Sequence, residues 1–557
     1  MNYFLQGIPG ILALTREFPR TVTGKILIFN QSQTFIRYLT FFHNRPKTII
    51  DVFSIPVAEP AIPASRGRFR RAGLRRKPRH RFGDRGTARR LPIRGHAVAA
   101  STRFPSYSQK HRNPMSRIIP DPIANSATPL PTEAEVVIIG GGIIGVCTAL
   151  YLAQQNVRVV VCEKGLIGAE QSARNWGWVR QMGRDPAEIP LSIESLRLWH
   201  ELKPKYGAET GLRQTGITYL CRNEAQMAEY REWIGHAREY GIDTVLFGKN
   251  DLAQYVPGCS TTFAGGMHTA TDGRAEPLMA APAIAHAAQR AGAHIATRCA
   301  VRGIQREAGR VSGVVTEHGE IRCSSVVLAG GAWSRLFAGS FGLELPQLKV
   351  LGSAARISDV NGPTAMPVGA DNFSFRQRLD GGYTIAMRNS TLVPIVPDSF
   401  RLFPEYWSRF RRNRADLKLR LDRQFIDEWR TPRQWALDAI TPFEKHRILD
   451  PKPSEAVIRN GLANLAKAFP AFANARILQM WGGMIDVTPD AVPIIGPLAA
   501  LPGFFIATGF SGHGFGLGPG AGKLMAQLVT NETPLVDPAP FRFERFARFS
   551  AAGLMAA

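Results

Sequence analysis

Apolar residues rich in Val and Ile over 135–139 predict a short strand, and the mostly apolar stretch over 142–155 predicts a helix. A second β-branched run over 157–162 predicts another strand, so a βαβ unit opens a folded region at about Glu133. Residues 277–291 have the spacing of an amphipathic helix, followed by strands near 294–297, 311–317 and 325–328. Residues 351–390 alternate as strands do, with Gly381-Gly382 as a hairpin turn. Residues 398–445 are charged and aromatic at helical spacing and read as an insertion. Strands are expected again over 476–480, 492–495 and 504–508, then a glycine-rich start to a helix over 514–529. The pattern predicts an α/β protein: a Rossmann-like domain on a parallel sheet, interleaved with a second domain built on a mixed, largely antiparallel sheet.

The first strand ends in Gly140-Gly141-Gly142-Ile143-Ile144-Gly145. Gly140 makes the tight turn, Gly142 lets the backbone approach a pyrophosphate, and Gly145 lets the helix pack on the strand. The helix start offers free N–H groups and a partial positive charge to phosphate. Glu163 ends the second strand, where a carboxylate accepts hydrogen bonds from a ribose hydroxyl. NAD and FAD share this fingerprint. Ala329-Gly330-Gly331-Ala332-Trp333 follows the strand at 325–328 and allows a second close backbone approach. Gly512-His513-Gly514-Phe515-Gly516 opens the last helix and aims N–H groups at an anion or carbonyl, or is a structural glycine-rich turn.

Composition changes the picture in one respect. Of 69 basic and 44 acidic residues in 557, the first 114 residues hold 22 basic and 4 acidic. The net charge of +25 is therefore mainly a property of the first fifth of the chain, which argues against a nucleic-acid partner for the folded body. Residues 66–94 are dense in Arg, Gly and Pro without sustained period. Residues 1–130 are expected to be a basic, disordered extension, with Met115 as the favoured true start; a targeting segment and a basic arm for nucleic acid are the alternatives. Cys147, Cys162, Cys221, Cys259, Cys299 and Cys323 form no CxxC pair, so neither a zinc site nor a redox cysteine motif is expected. The most apolar run, 1–15, is interrupted by Gly7, Pro9 and Gly10 and is too short to span a bilayer. A cytoplasmic location is the expectation, with peripheral contact to a membrane left open.

The Gly140–Gly145 turn, the Ala329–Trp333 turn and the Gly512–Gly520 segment, with Glu163-Lys164-Gly165, Glu170–Arg174 and Thr488–Gly496, resemble the D-amino-acid-oxidase/glycine-oxidase superfamily of FAD-dependent amine and amino-acid oxidoreductases. The resemblance extends over about 133–546 and is nearest the bacterial L-amino-acid deaminases, through Ala300–Ile304, Trp333–Phe337, Phe375-Arg376 and Thr441–Glu444. It implies FAD-binding segments 131–215, 270–350 and 475–546, and a substrate domain of 216–269 and 351–474 with an insertion at about 391–445. It places Gly140, Gly142, Ile144, Gly145, Glu163, Lys164, Val301, Ala329, Gly330, Trp333, Gly512, His513, Gly514, Phe515 and Gly516 on the FAD, with Ser172 and Arg174 near pyrophosphate and flavin. The implied chemistry is hydride transfer from a carbon beside nitrogen to the flavin, giving an imine that water hydrolyses.

Related oxidases clamp the substrate carboxylate with an Arg where this chain has Ile485, attach flavin through a Cys where it has Gly483, and place a Lys where it has Gly516. Non-covalent FAD follows from Gly483. A bidentate guanidinium suits a carboxylate, so Arg376 is the first clamp candidate and Arg388 the second, with a plain strand arginine as the alternative for Arg376. His513 is a candidate to touch the flavin or polarise oxygen, or a loop histidine bound to backbone. The expected substrate is an amino acid or related amine, with O2 or a quinone or electron carrier as acceptor, a choice the sequence does not fix; opine, sarcosine-like or D-amino-acid dehydrogenation with a quinone or carrier is the alternative. Chirality, side-chain preference and oligomeric state are left open.

Overall fold

The computed structural model describes residues 118–549, except Asn389, Ala415 and Asp416, and three strands nearer the N-terminus. The chain divides into two compact units, Met1–Arg103 and Phe104–Ala557. In the first, Thr23–Phe29, Phe35–Phe42 and Ile49–Pro56 pair antiparallel in that order. These segments are rich in aromatic and β-branched residues, which favour strands. The expectation of a disordered extension over 1–130 overlooked them. Residues 66–94 and Met115 lie outside the described residues.

The second unit is mixed α/β, as the sequence pattern predicts. Its central sheet is built from β1 (Val136–Ile139), β2 (Val159–Glu163), β3 (His294–Thr297), β4 (Ser325–Leu328), β5 (Ile494–Pro497) and β6 (Phe504–Thr508). The spatial order is β3-β2-β1-β4-β6-β5, all parallel except the β5–β6 pair. Alternate residues serve opposite faces of this sheet. Val136, Ile138, Val159 and Val161 enter one core, while Val137, Val160, Val326 and Leu328 enter the other. Coverage on both faces explains the continuous apolar runs in the sequence. Helix α1 (Ile143–Gln154) is buried along nearly its whole length and packs against Pro277–Arg290 and α2 (Gly514–Thr530). A helix that is apolar all round belongs inside a protein.

A second, ten-stranded sheet takes its strands from Ile217–Cys221, Thr244–Gly248, Gly265–Thr269, Leu348–Ile357, Val368–Ala370, Phe373–Gln377, Tyr383–Ala386, Thr391–Pro394, Leu417–Arg420 and Ile477–Val487. Gly381 and Gly382 both have positive φ, +84° and +73°, and close the hairpin between Phe373–Gln377 and Tyr383–Ala386. The strand expected over 476–480 runs to Val487 and pairs with Leu348–Ile357, so it belongs to this sheet rather than to the central one. The insertion holds four helices, Pro397–Arg401, Phe403–Asn413, Arg423–Arg430 and Pro442–Lys445, and one strand, Leu417–Arg420, parallel to Thr391–Pro394.

Candidate dinucleotide cleft and the arginines around it

The chain leaves β1 through Gly140, whose φ is +111°. A Cβ there would lie 2.5 Å from the Ala329 carbonyl oxygen, and one on Gly145 would lie 2.0 Å from the Gly140 oxygen. Both glycines are therefore demanded by backbone proximity. Gly142 caps α1 without a side chain, and no acidic residue occupies the first turn. The helix start is left electropositive, with one N–H, that of Ile143, donating to Ser172 Oγ at 2.9 Å. Glu163 Oε2 accepts from Gly141 N–H at 2.7 Å and Oε1 from Gly165 N–H at 2.6 Å. Burial raises the pKa of this carboxyl above its ordinary value, against the pull of Lys164 and these two N–H groups.

These groups face a cleft of about 850 Å³, its open mouth included. Gly140, Gly142, Glu163, Lys164, Ser172, Val301, Ala329, Gly330 and Trp333 line it, together with Phe443, Arg447 and Met484. Lys164 donates to Glu170 at 2.6 Å and lies 4.5 Å above the Trp333 ring, whose Nε1–H also donates to Glu170. Arg447 pairs with Glu317 and donates to the Lys164 carbonyl at 3.0 Å. No local motif announces Arg447; only tertiary contact brings it beside β2. Ile144 and Gly145 are behind the turn and do not line the cleft. Nor does Arg174: its guanidinium is fully buried, bonded to Asp450 at 2.5 Å and to the Gly482 and Ala169 carbonyls. Its donors are directed into the protein, onto Asp450 and main-chain carbonyls.

The glycine-rich segment Gly512–Gly516 does not line this cleft. His513 is the N-cap of α2 and Gly514 its first residue. His513 Nδ1–H donates to Glu188 Oε2 at 2.8 Å. Burial lowers the His513 pKa despite Glu188, while Glu188, itself penalised by burial, is brought below the ordinary range by His513 and Arg184. The Gly516 carbonyl accepts from Ser195 Oγ at 2.7 Å and Trp199 Nε1 at 2.9 Å. Phe515 packs on Trp199 with ring centroids 5.2 Å apart. A Cβ on Gly516 would meet Arg184 at 3.0 Å. A Cβ on Gly483 would lie 2.3 Å from Gln171 Oε1, a buried acceptor with no hydrogen-bond partner. The glycine cradle, the uncapped α1 start and the orphaned Gln171 oxygen suit an extended dinucleotide.

The two clamp candidates differ sharply. Arg376 is 1% exposed and its fork is closed on Glu276, with Nη1–Oε1 at 2.6 Å and Nη2–Oε2 at 3.3 Å. Its Nε–H donates to the Trp176 carbonyl at 2.8 Å. A guanidinium already satisfied by a protein carboxylate is poorly placed to take a second, so the pairing with Glu276 favours the alternative of a strand arginine over the expected clamp. Arg388 is half-buried and stands 4.0 Å over the Tyr219 ring. Arg180 shares that ring at 5.6 Å. Arg184, on the same segment, is 3% exposed with Nη1 unpartnered. Burial and the neighbouring Arg180 push its pKa down to about 10. Arg180 and Arg184 were missed because what sets them apart is the lack of a carboxylate partner among the described residues, their donors going to the Met182 and Arg180 carbonyls.

Residues 135–528 match the DAO family, FAD dependent oxidoreductase. The chain is 26% identical over 425 residues to sarcosine oxidase subunit beta of Rhizobium meliloti (strain 1021), covering 74% of this chain and 88% of that protein. It is 26% identical to glycine oxidase of Pseudomonas aeruginosa, covering 73% of this chain and 97% of that one. L-amino acid deaminase from Proteus myxofaciens, solved with anthranilate, superimposes with a TM-score of 0.75 at 33% identity, covering 78% and 98% of the two chains.

Proposed function

The chain belongs to the DAO family of FAD-dependent oxidoreductases, and on that premise we propose that it oxidises the C–N bond of a carboxylate-bearing amine whose carboxylate is met by Arg388 with Arg180 and Arg184. The carrying observation is that these guanidiniums stand beside Tyr219 and Gly516 with no ion pair, whereas Arg376 is closed on Glu276. When bound, FAD supplies a two-electron hydride acceptor. The chain's own part is to bind and orient. Gly140, Gly142 and the α1 start receive the pyrophosphate, Glu163 receives the ribose, and Val301, Ala329, Gly330 and Trp333 line the same cleft. The glycine-rich start of α2, with His513 held by Glu188, would hold the flavin end of the cofactor and supply N–H groups and a positive helix end to it. Gly483 carries no side chain to attach the flavin, which supports non-covalent FAD. The test is anaerobic: the yellow spectrum of the purified protein bleaches with an amino acid or N-substituted amino acid and stays unchanged with amines lacking a carboxylate. Equal bleaching by both classes overturns the carboxylate reading.

For the acceptor, a second reading has support from the insertion. Phe400, Trp407, Leu421, Ile426, Trp429 and Ile440 are exposed there among arginines. Such a face suits peripheral contact with an anionic membrane and a quinone acceptor. Flotation with anionic vesicles, and reoxidation by a soluble quinone faster than by O2, support it; failure of both leaves O2. Among the described residues no helix is long and apolar enough to cross a membrane.

A further inference from the structure

We propose that the amine this enzyme oxidises is a dianion, carrying two carboxylates held by Arg180, Arg184 and Arg388. The inference rests on the reading of the chain as an amine-oxidising flavoenzyme and adds what the amine must carry.

The three guanidiniums are gathered by one aromatic wall. Arg388 and Arg180 share the Tyr219 ring, and Arg184 Nε–H donates to the Arg180 carbonyl at 3.3 Å. A Cβ on Gly369 would touch Trp178 at 2.9 Å, Arg388 Cδ at 3.0 Å and Tyr219 at 3.5 Å, so these side chains converge on one point. Trp178, Tyr219, Met182 and Met267 form an apolar cluster beneath them, edged by Tyr230 and Trp233.

The nearby acids have other hydrogen-bond partners. Asp272 accepts the backbone N–H groups of Gln181 at 2.7 Å and Met182 at 3.2 Å. Glu188 Oε2 is bound to His513 while its Oε1 is buried without a hydrogen-bond partner, and Asp371 accepts from Gln226 at 2.6 Å. None of the three arginines has a carboxylate oxygen within 4.0 Å among the described residues, although Arg174, Arg335 and Arg376, buried like Arg184, each have one. Buried charge is paired in folded proteins, so Arg184, buried with one orphaned nitrogen and with Arg180 and Arg388 gathered on the same aromatic wall, implies a missing anion. A single carboxylate engages at most two guanidinium forks well. A third fork beside the same aromatic cluster calls for a second carboxylate on the same ligand. The chemical class is an amine dicarboxylate: two carboxylates across the nitrogen, or one on the side chain.

The test uses FAD-loaded enzyme and unreactive analogues, read as changes in the flavin absorption spectrum. Thiodiacetate is compared with methylthioacetate for carboxylates across the nitrogen, and succinate with butyrate for a side-chain carboxylate. In at least one pair the dianion is expected to bind at least about 30-fold tighter, the scale of one added charge-assisted hydrogen-bonded contact. Arg184→Gln or Arg388→Gln should cut that ratio to about threefold, with FAD content unchanged. Arg388 is half-buried, so its variant keeps the test open should Arg184→Gln fail to fold. Ratios below threefold in the parent enzyme, or ratios unchanged in both variants, overturn the inference. Anaerobic bleaching by monocarboxylate amino acids alongside such flat ratios would overturn the dianion while sparing the amine-oxidase reading; no bleaching by any amine would overturn both.

Discussion

Removing one partner of the Arg376–Glu276 pair distinguishes a structural ion pair from a substrate clamp. In Arg376→Gln, the Glu276 carboxylate loses its contacts at 2.6 and 3.3 Å but keeps the Leu379 N–H at 3.1 Å and Arg274 at 3.4 Å. Breaking a buried pair costs about 3–5 kcal/mol when the survivor is stranded. With two donors left on Glu276, the loss should fall near the lower end, about 3 kcal/mol. In Glu276→Gln, Arg376 and Arg274 are left close together with their shared anion gone, and burial already lowers both of their pKa values. That loss should reach the upper end, about 5 kcal/mol. Urea unfolding of FAD-loaded protein, followed by tryptophan fluorescence, measures both, and the order of the two variants is itself the prediction. KM for an amino acid should stay within a few-fold of the parent in Arg376→Gln. The reasoning is refuted if Arg376→Gln stays within about 1 kcal/mol of the parent while KM for that amino acid rises about 100-fold.

Gly145→Ala forces a methyl to within 2.0 Å of the Gly140 oxygen; with backbone on both sides, about 1–3 kcal/mol of strain is expected, read as a lowered flavin-to-protein absorbance ratio after gel filtration. Glu163→Gln should weaken FAD binding about 10- to 100-fold, measured by fluorescence quenching on reconstitution, since an amide oxygen can replace only one of the acceptors for Gly141 and Gly165. Burial raises the Asp272 pKa from 3.8 to about 7. The folded state therefore binds this proton more tightly than the unfolded state, so the stability it contributes is complete below about pH 3.8 and lost as pH rises through about 7. Urea midpoints measured from pH 5 to pH 8 should fall in the parent and flatten in Asp272→Asn; parallel curves would refute that assignment.

The sequence by itself determined the parts whose cause is local. Strands at 294–297, 325–328 and 504–508 and the helix after Gly142 follow from runs of apolar and β-branched residues, which set backbone preference within a few positions. The glycines of the phosphate turn are legible for the same reason, because each answers to contacts made within or beside one βαβ unit. The strand at 477–487 was only half legible: its period showed, but not which sheet it joins, since pairing with Leu348–Ile357 is a matter of register between distant segments. Charge assignment was beyond the sequence altogether. Arg174, Arg376, Arg180, Arg184 and Arg388 are the same residue type in similar apolar surroundings. Arg376 is neutralised by a carboxylate 100 positions away and Arg174 by one 276 positions away. Only the tertiary structure decides which arginines are already paired, because Coulomb energy and desolvation depend on distance in space and burial, and neither is written in the spacing of residues along the chain.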